Sequence, residues 1–422
     1  MQEDFLHYIW KFQKLNTIGL LSNSGDEITV LNPGLHNDLS GPDFFNAQVR
    51  IGGQLWAGNV EIHVNSTDWY LHGHETDSAY NNVILHVVWN HDCEIFSADN
   101  QAIPTLSLRK YVQTDVISKY EAIIKSQPQF INCEKNFASV PEFTLYRWID
   151  RLFIERLERK SKEIQVLLEE SKNDWEAVLF KSLAKTFGLK INGDAFFSLA
   201  KSFDYSIIRK INGSQQNLEA LFYGQLRMLG KTSFGYEQLL IDEYRYLKKK
   251  FKLENSHTIP VQFFKLRPPN FPTIRLSQLA ALYSNSHSLF ANLIEIDDLD
   301  DFYRLMTVST SEYWQDHYTF GKTSKPSRKI LTKSFIDLVI INTIIPLKFT
   351  YLKSLGKPAD EQLIHWAEQI DAERNTIVEN YQELRTMASN SLISQSLIEL
   401  NSNYCNRNRC LNCEVGVSLL KA

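Results

Sequence analysis

The stretch Val83-Ile84-Leu85-His86-Val87-Val88 is apolar on both of its faces. A strand of that kind belongs in the middle of a sheet covered on both sides, so the rest of the chain has to provide neighbouring strands and a layer for each face. The upstream residues do. Ile28 to Leu31, Phe44 to Ile51 and Leu55 to Val64 alternate with a period of two and are separated by Asn32-Pro33-Gly34, Ser40-Gly41-Pro42 and Gly52-Gly53, the punctuation of strands joined by turns. Gly-Gly between two alternating runs marks a hairpin. Phe5, Tyr8, Ile9, Trp10, Phe12 and Leu15 are spaced like one face of a short helix, and Ser66 to Asn82 reads as a helix or an ordered turn. Helix, three strands, helical connection and strand together predict an α/β core ending near residue 112.

The period then changes. Leu145, Trp148, Leu152 and Leu157 share a stripe bordered by Glu155, Arg156, Glu158, Arg159 and Lys160, the pattern of an amphipathic helix. Trp175 to Phe187, Leu218 to Leu229, Tyr236 to Lys250, Leu276 to Tyr283, Ser334 to Leu352 and Ala359 to Ile370 read likewise. The prolines of Phe263 to Pro272 hold that stretch extended before a helix beginning near Arg275. The fold class expected is α+β: an N-terminal α/β domain over residues 1–112, a helical domain over 113–400 and a Cys-rich segment over 401–422.

A chain of 422 residues, 43% of them hydrophobic, can fill such cores. It has no uninterrupted apolar run of about 18 residues, and Met1-Gln2-Glu3-Asp4 lacks the basic and apolar regions of a signal peptide, so a cytoplasmic location with no membrane partner is expected. Residues 1–112 carry 5 Lys+Arg against 13 Asp+Glu, a local charge of −8 inside a total of −4. An acidic first segment repels phosphate unless cations offset it. Contact with nucleic acid would therefore draw on Arg245, Lys248, Lys249, Lys250 and Lys252, or on Lys322, Lys325, Arg328, Lys329 and Lys333; both runs also read as solvated helix faces.

Chemistry concentrates in the strand-rich part. Six of the eleven histidines, with five aspartates and two glutamates, fall between His36 and Asp92: His36, Asp38, Asp43, Glu61, His63, Asp68, His72, His74, Glu75, Asp77, His86, His91 and Asp92. Glu61 and His63 project from one face of the same strand, and Asp43 stands at the mouth of its predecessor. If those strands pair, two carboxylates and an imidazole converge. The acids could hold Mg²⁺ or Mn²⁺, hard ions that prefer oxygen, and His63 would orient or deprotonate a nucleophile.

At Pro42-Asp43 and Glu61-Ile62-His63 the segment resembles the PD-(D/E)XK nuclease superfamily, whose core is a helix, three strands, a helix and a strand. The resemblance implies metal-dependent cleavage of a phosphodiester in nucleic acid, with Asp43 and Glu61 as metal ligands and His63 where the superfamily usually has lysine. Histidine is shorter and titrates near neutrality, so it departs from that pattern in reach and charge. Gly41-Pro42-Asp43-Phe44, Asn46-Ala47, Gly58 with Val60-Glu61-Ile62-His63, Asp68-Trp69, His72-x-His74, Tyr80 with Val83-Ile84-Leu85-His86, Phe264-Lys265-Leu266-Arg267-Pro268 and the Cys-rich end are also similar to an uncharacterised bacterial family, which carries no known activity.

Other constellations compete. His72-Gly73-His74 with Asp77 can bind zinc or iron with help from a third ligand, or be a hydrated loop. His86, inside an apolar strand, is a core histidine unless its strand adjoins that of His63. Cys405-x4-Cys410-x2-Cys413 offers three soft ligands on a short loop, with Cys133 as the fourth, and suits zinc or an iron–sulfur cluster; some PD-(D/E)XK nucleases carry such a cluster on one remote and three C-terminal cysteines. Trp56, Trp69, Tyr70 and Trp89 could stack bases, although strand aromatics are usually core. No Gly-rich phosphate loop, Gly-x-Ser-x-Gly elbow or His-Glu-x-x-His helix occurs, which disfavours ATP-driven and serine-hydrolase chemistry. The function expected is metal-dependent phosphodiester hydrolysis by Asp43, Glu61 and His63, with His36, Asp68, His72, His74 and His86 completing the shell. The alternatives are a His-x-His hydrolase of a small substrate and a noncatalytic helical scaffold.

Overall fold

The computed structural model describes residues 2–37, 40–124, 130–358, 360–387 and 389–421; Asp38 and Ala359 lie outside them. The chain is mixed α+β and divides into two units, one of residues 1–148, 380–386 and 400–422, the other of residues 149–379 and 387–399.

The first unit holds the sheet. Helix α1 (Glu3–Lys11) is followed by strands β1 (Leu20–Leu21), β2 (Glu27–Asn32), β3 (Leu35–His36), β4 (Phe44–Ile51) and β5 (Gln54–Asn65), a single-turn helix α2 (Asp68–Leu71), and strands β6 (Val83–Asn90) and β7 (Thr105–Ser107). Strands β2, β4 and β5 form an antiparallel meander, β6 lies parallel to β5, and β7 lies parallel to β6. The stretch between β5 and β6 is the ordered-turn form of the expected connection, α2 followed by two 3₁₀ turns. Gly52 and Gly53, both at positive φ, make the two-residue turn that pairs Ile51 with Gln54. At Gly58 a Cβ would meet Ile84 Cγ2 at 2.4 Å and the Asn82 carbonyl at 2.6 Å, so only glycine lets the start of β6 close on β5.

Strand alternation sorts β5 and β6 onto two faces. Val60, Ile62, Leu85 and Val87 enter a core with Phe5, Leu6, Ile9 and Trp10 of α1, while Glu61, His63 and His86 take the alternating positions. A second, smaller cluster of Trp69, Val83, Ile95 and Ile103 accompanies the α2 connection. Strand β6 is thus an inner strand, next to last in the sheet between β5 and β7, and largely buried as its two apolar faces require.

The second unit is helical, with Trp175–Phe187, Leu189–Lys201, Gln215–Gln225, Gly235–Phe251 and Pro272–Ser284 among its elements, and a two-stranded hairpin, His317–Thr319 with Lys322–Thr323. Its stretch Lys333–Ser354 is the one among the described residues long and apolar enough to cross a membrane, and 78% of its apolar window is buried inside the protein; a π-helical turn, Ile340–Ile344, precedes Pro346 there. The basic run at 245–252 covers the exposed side of helix Gly235–Phe251. The second run is not a helix face. It runs from the second hairpin strand at Lys322 to the start of the helix at Lys333, and Lys329 is buried, its ammonium donating to the carbonyls of Trp314 and Gln315 beneath the Tyr318 ring, because a buried charge must be satisfied locally.

A candidate metal centre on strands β4 to β6

Parallel pairing of β5 and β6 sets Glu61 beside His86 and His63 beside Val88. The His63 ring meets other imidazoles through both nitrogens: Nδ1 lies 2.8 Å from His86 Nε2 and Nε2 lies 3.0 Å from His72 Nδ1. Glu61 Oε1 is 3.7 Å from His63 Nε2 and 3.3 Å from His74 Nε2. The sheet and the α2 connection therefore bring the two competing sequence motifs, Glu61-x-His63 and His72-x-His74, to one place.

The other oxygen of Glu61 faces Asp43. Glu61 Oε2 accepts the Asp43 backbone N–H at 3.0 Å, and the Ile62 N–H donates to Asp43 Oδ2 at 2.9 Å. This reciprocal pair fixes the mouth of β4 against β5. Asp43 Oδ2 also lies 3.2 Å from His7 Nε2, and Glu3, His7 and Asp43 form a second group of three ligand atoms within 4.8 Å of one another, beside the first group of His63, His72 and His74. Glu3 and His7 were not among the residues singled out by the sequence; their i, i+4 spacing on α1, which aligns them on one helix face, is the signal that could have found them.

The remaining candidates have supporting or separate places. His36 packs its ring 5.4 Å from His7 and 5.0 Å from Phe44. Asp68 accepts the Asn65 N–H and ties the start of α2 to β5. His91 and Asp92 bind Ser66, Glu94 and Thr67, and Asp77 caps the second 3₁₀ turn. Trp69 is fully buried beside His74 and His86, so it is core, whereas Trp56 and Tyr70 are partly exposed. Cys133, Cys405, Cys410 and Cys413 act on one another electrostatically, while Cys93 packs with the Trp69 cluster.

Burial governs the charge states. His63 is pushed down to about 3 by burial, with His74 and His72 adding to the effect, and His86 is driven well below its ordinary range by the same burial and by His63. Both rings are neutral and present lone pairs. Burial raises the Glu61 carboxyl, His74 pulls it down, and the Asp43 charge raises it further. Glu3 is raised to about 7 by burial and by Asp43.

The donor set fits a divalent cation. In a four-coordinate N/O shell with bonds of about 2.0 to 2.1 Å, neighbouring ligand atoms stand about 3.3 Å apart; His63 and His72 nitrogens stand 3.0 Å apart and the three imidazoles lie within 4.8 Å of one another, while Glu61 Oε1, outside that group, is 3.3 Å from His74 and 3.7 Å from His63. His74 Nε2 is buried and has Glu61 Oε1, 3.3 Å away, as its polar neighbour. Imidazoles with one carboxylate suit zinc, iron or manganese better than magnesium, which asks for oxygen ligands and several waters. With its Nε2 engaged, His63 carries its proton on Nδ1 and donates it to His86, the usual support of a ligating histidine. His86 Nδ1 then has no acceptor, a cost of about 1–3 kcal/mol that a cation contributing about 10 kcal/mol or more outweighs.

Searches of curated proteins and of solved structures return no match. The family described as Protein of unknown function (DUF2851) matches residues 3–376. The chain, whose motifs from Gly41 to His86 build the cluster around Glu61, therefore belongs to that family of proteins of unknown function.

Proposed function

We propose that the chain is a metal-dependent hydrolase of phosphodiester bonds, nuclease-like in its core and acting on nucleic acid, with a zinc-, iron- or manganese-type cation held by Glu61, His63, His72 and His74. The observation that carries this reading is the position of Glu61, one oxygen 3.3 Å from His74 Nε2 and 3.7 Å from His63 Nε2 beside the group of His63, His72 and His74, and the other accepting the Asp43 backbone N–H. The order of elements supports the phosphodiester assignment: helix α1, an antiparallel meander, a crossover and a parallel strand follow the order that the PD-(D/E)XK resemblance implies, which would put Asp43 and Glu61 at its two acidic positions.

A bound divalent ion would activate water and offset charge developing on phosphate. The protein's own groups do the rest. His86 holds His63 in one orientation from behind, and the Asp43–Ile62 and Glu61–Asp43 bonds keep both acids from relaxing away from each other. His72, on the surface of the connection, is the member of the set open to solvent and substrate. Neutral His63 cannot supply the positive charge of a lysine, so in this reading His63 is a ligand rather than a charge partner of the phosphate.

The test uses the full chain, stripped with chelator and reloaded separately with Zn²⁺, Mn²⁺ and Mg²⁺, assayed on single- and double-stranded DNA, RNA and a phosphodiester ester of nitrophenol. Hydrolysis with Zn²⁺ or Mn²⁺, reduced at least about 100-fold in Glu61→Gln and in the surface variant His72→Ala, is expected. Hydrolysis unchanged in both variants, or a stripped protein that takes up no ion, refutes the assignment. Turnover of small esters without nucleic acid cleavage would leave the centre but reject the substrate.

A further inference from the structure

Four of the five cysteines meet in the first unit from two separate stretches of chain, Cys133 and the segment from Cys405 to Cys413, and they do so at a site independent of Glu61. Cys133 precedes the 3₁₀ turn Glu134–Ser139, Cys405 and Cys410 each open a further turn, and Cys413 precedes the C-terminal helix Glu414–Lys421. No disulfide joins them.

Hydrogen-bond donors are gathered at these sulfurs. The Asn132 side-chain amide donates to Cys410 Sγ at 3.6 Å, the Tyr381 hydroxyl lies 3.3 Å from Cys405 Sγ, and the backbone N–H groups of Val415 and Gly416 serve Cys413. A thiol is a weak acceptor, so such an arrangement gains most when the sulfurs are thiolates. Thiolates buried together need a positive charge among them, and Arg407 and Arg409 are exposed to solvent. A metal supplies that charge and deprotonates its ligands.

Spacing decides between one ion and several. Four thiolates on one zinc, with bonds of about 2.3 Å, stand about 3.8 Å apart. Among the described residues the groups of three ligand atoms within 4.8 Å of one another contain no cysteine. Sulfurs that are neighbours yet more widely spaced suit separate iron corners of one cluster.

We propose that Cys133, Cys405, Cys410 and Cys413 ligate an iron–sulfur cluster that fastens the C-terminal segment onto the sheet unit. That segment is built to be held: Cys410, Val417 and Leu420 join the core that includes α1, Lys421 Nζ lies 4.5 Å from the centre of the Phe12 ring, and at Gly416 a Cβ would meet the Cys410 carbonyl at 2.1 Å. Only glycine lets the helix start close on the cysteine loop.

The full chain purified without oxygen is analysed for iron, acid-labile sulfide and zinc, and by native mass spectrometry, which needs no variant. Iron and sulfide in near-equal amounts with broad visible absorption are expected, retained in Cys93→Ser and lost at least about tenfold in Cys133→Ser, Cys413→Ser and Gly416→Ala. Stoichiometric zinc without sulfide, a metal-free protein whose four thiols are free or paired as disulfides, or iron unaffected by Cys133→Ser overturns the proposal.

Discussion

Glu61 in the sheet unit and Glu219 in the helical unit are both buried carboxylates, and their surroundings differ in kind. Glu219 is fully buried and receives the Ser277 hydroxyl at 2.6 Å, the Tyr236 hydroxyl at 2.7 Å and the Trp314 indole N–H at 3.1 Å. These are neutral donors on three helical or turn segments, aimed at an acceptor and satisfying it completely. Glu61 accepts one backbone N–H and turns its other oxygen toward imidazoles whose lone pairs face the same space. A carboxylate surrounded by donors is satisfied by them, whereas Glu61 has ring nitrogens of His63 and His74 as its neighbours. The number of buried acids in a structure therefore says less than the chemistry of their neighbours.

The largest effect that tests this contrast is on stability. Glu219→Ala leaves two hydroxyls and an indole unpaired and opens a cavity, an expected loss of about 3–5 kcal/mol, read from urea unfolding of the metal-free chain. Glu61→Ala under the same conditions orphans one backbone N–H and should cost about 1–2 kcal/mol. A reversal of that order would break the comparison. Next in size, His86→Phe removes the acceptor behind His63 while filling its volume, and should weaken metal affinity about 10- to 100-fold in a chelator competition; unchanged affinity would remove His86 from the support of the centre.

The smallest effect is on pH dependence. Burial raises the folded-state carboxyl of Glu219 above its ordinary 4.5 despite the donors around it. The proton is thus held more tightly in the folded chain, so the stabilising contribution is complete below about 4.5 and is lost as the pH rises toward the folded value. The wild type should lose stability relative to Glu219→Gln as the pH rises above about 4.5. A gap that stays constant or moves the other way would mean that the donors, not burial, set the charge state.

Much of the sheet was legible because alternation and turn chemistry are local. Phe44 to Ile51 matches β4, Trp175 to Phe187 matches its helix, and Gly52-Gly53 is the hairpin. Strands β1, β3 and β7 were not legible, since two or three residues are too few to display a period and are extended only because a neighbour pairs with them. Helix Leu189–Lys201 follows its predecessor after Gly188 alone, and its apolar face mixes with that of the helix before. Lys329 reads as one cation in a basic run, yet tertiary packing gives it two carbonyls and a ring.

What the sequence by itself determined is the central, doubly covered strand, the same-face projection of Glu61 and His63, and the presence of soft ligands at Cys405, Cys410 and Cys413, all consequences of spacing along one chain. Only the tertiary structure decided that β6 runs parallel beside β5, that His74 is buried against Glu61 while the exposed His72 reaches His63, that α1 brings Glu3 and His7 to Asp43, and that Cys133 joins the three distant cysteines. The physical reason is that side-chain direction follows from local periodicity, whereas which directions meet depends on burying apolar surface and pairing backbone groups across the whole unit.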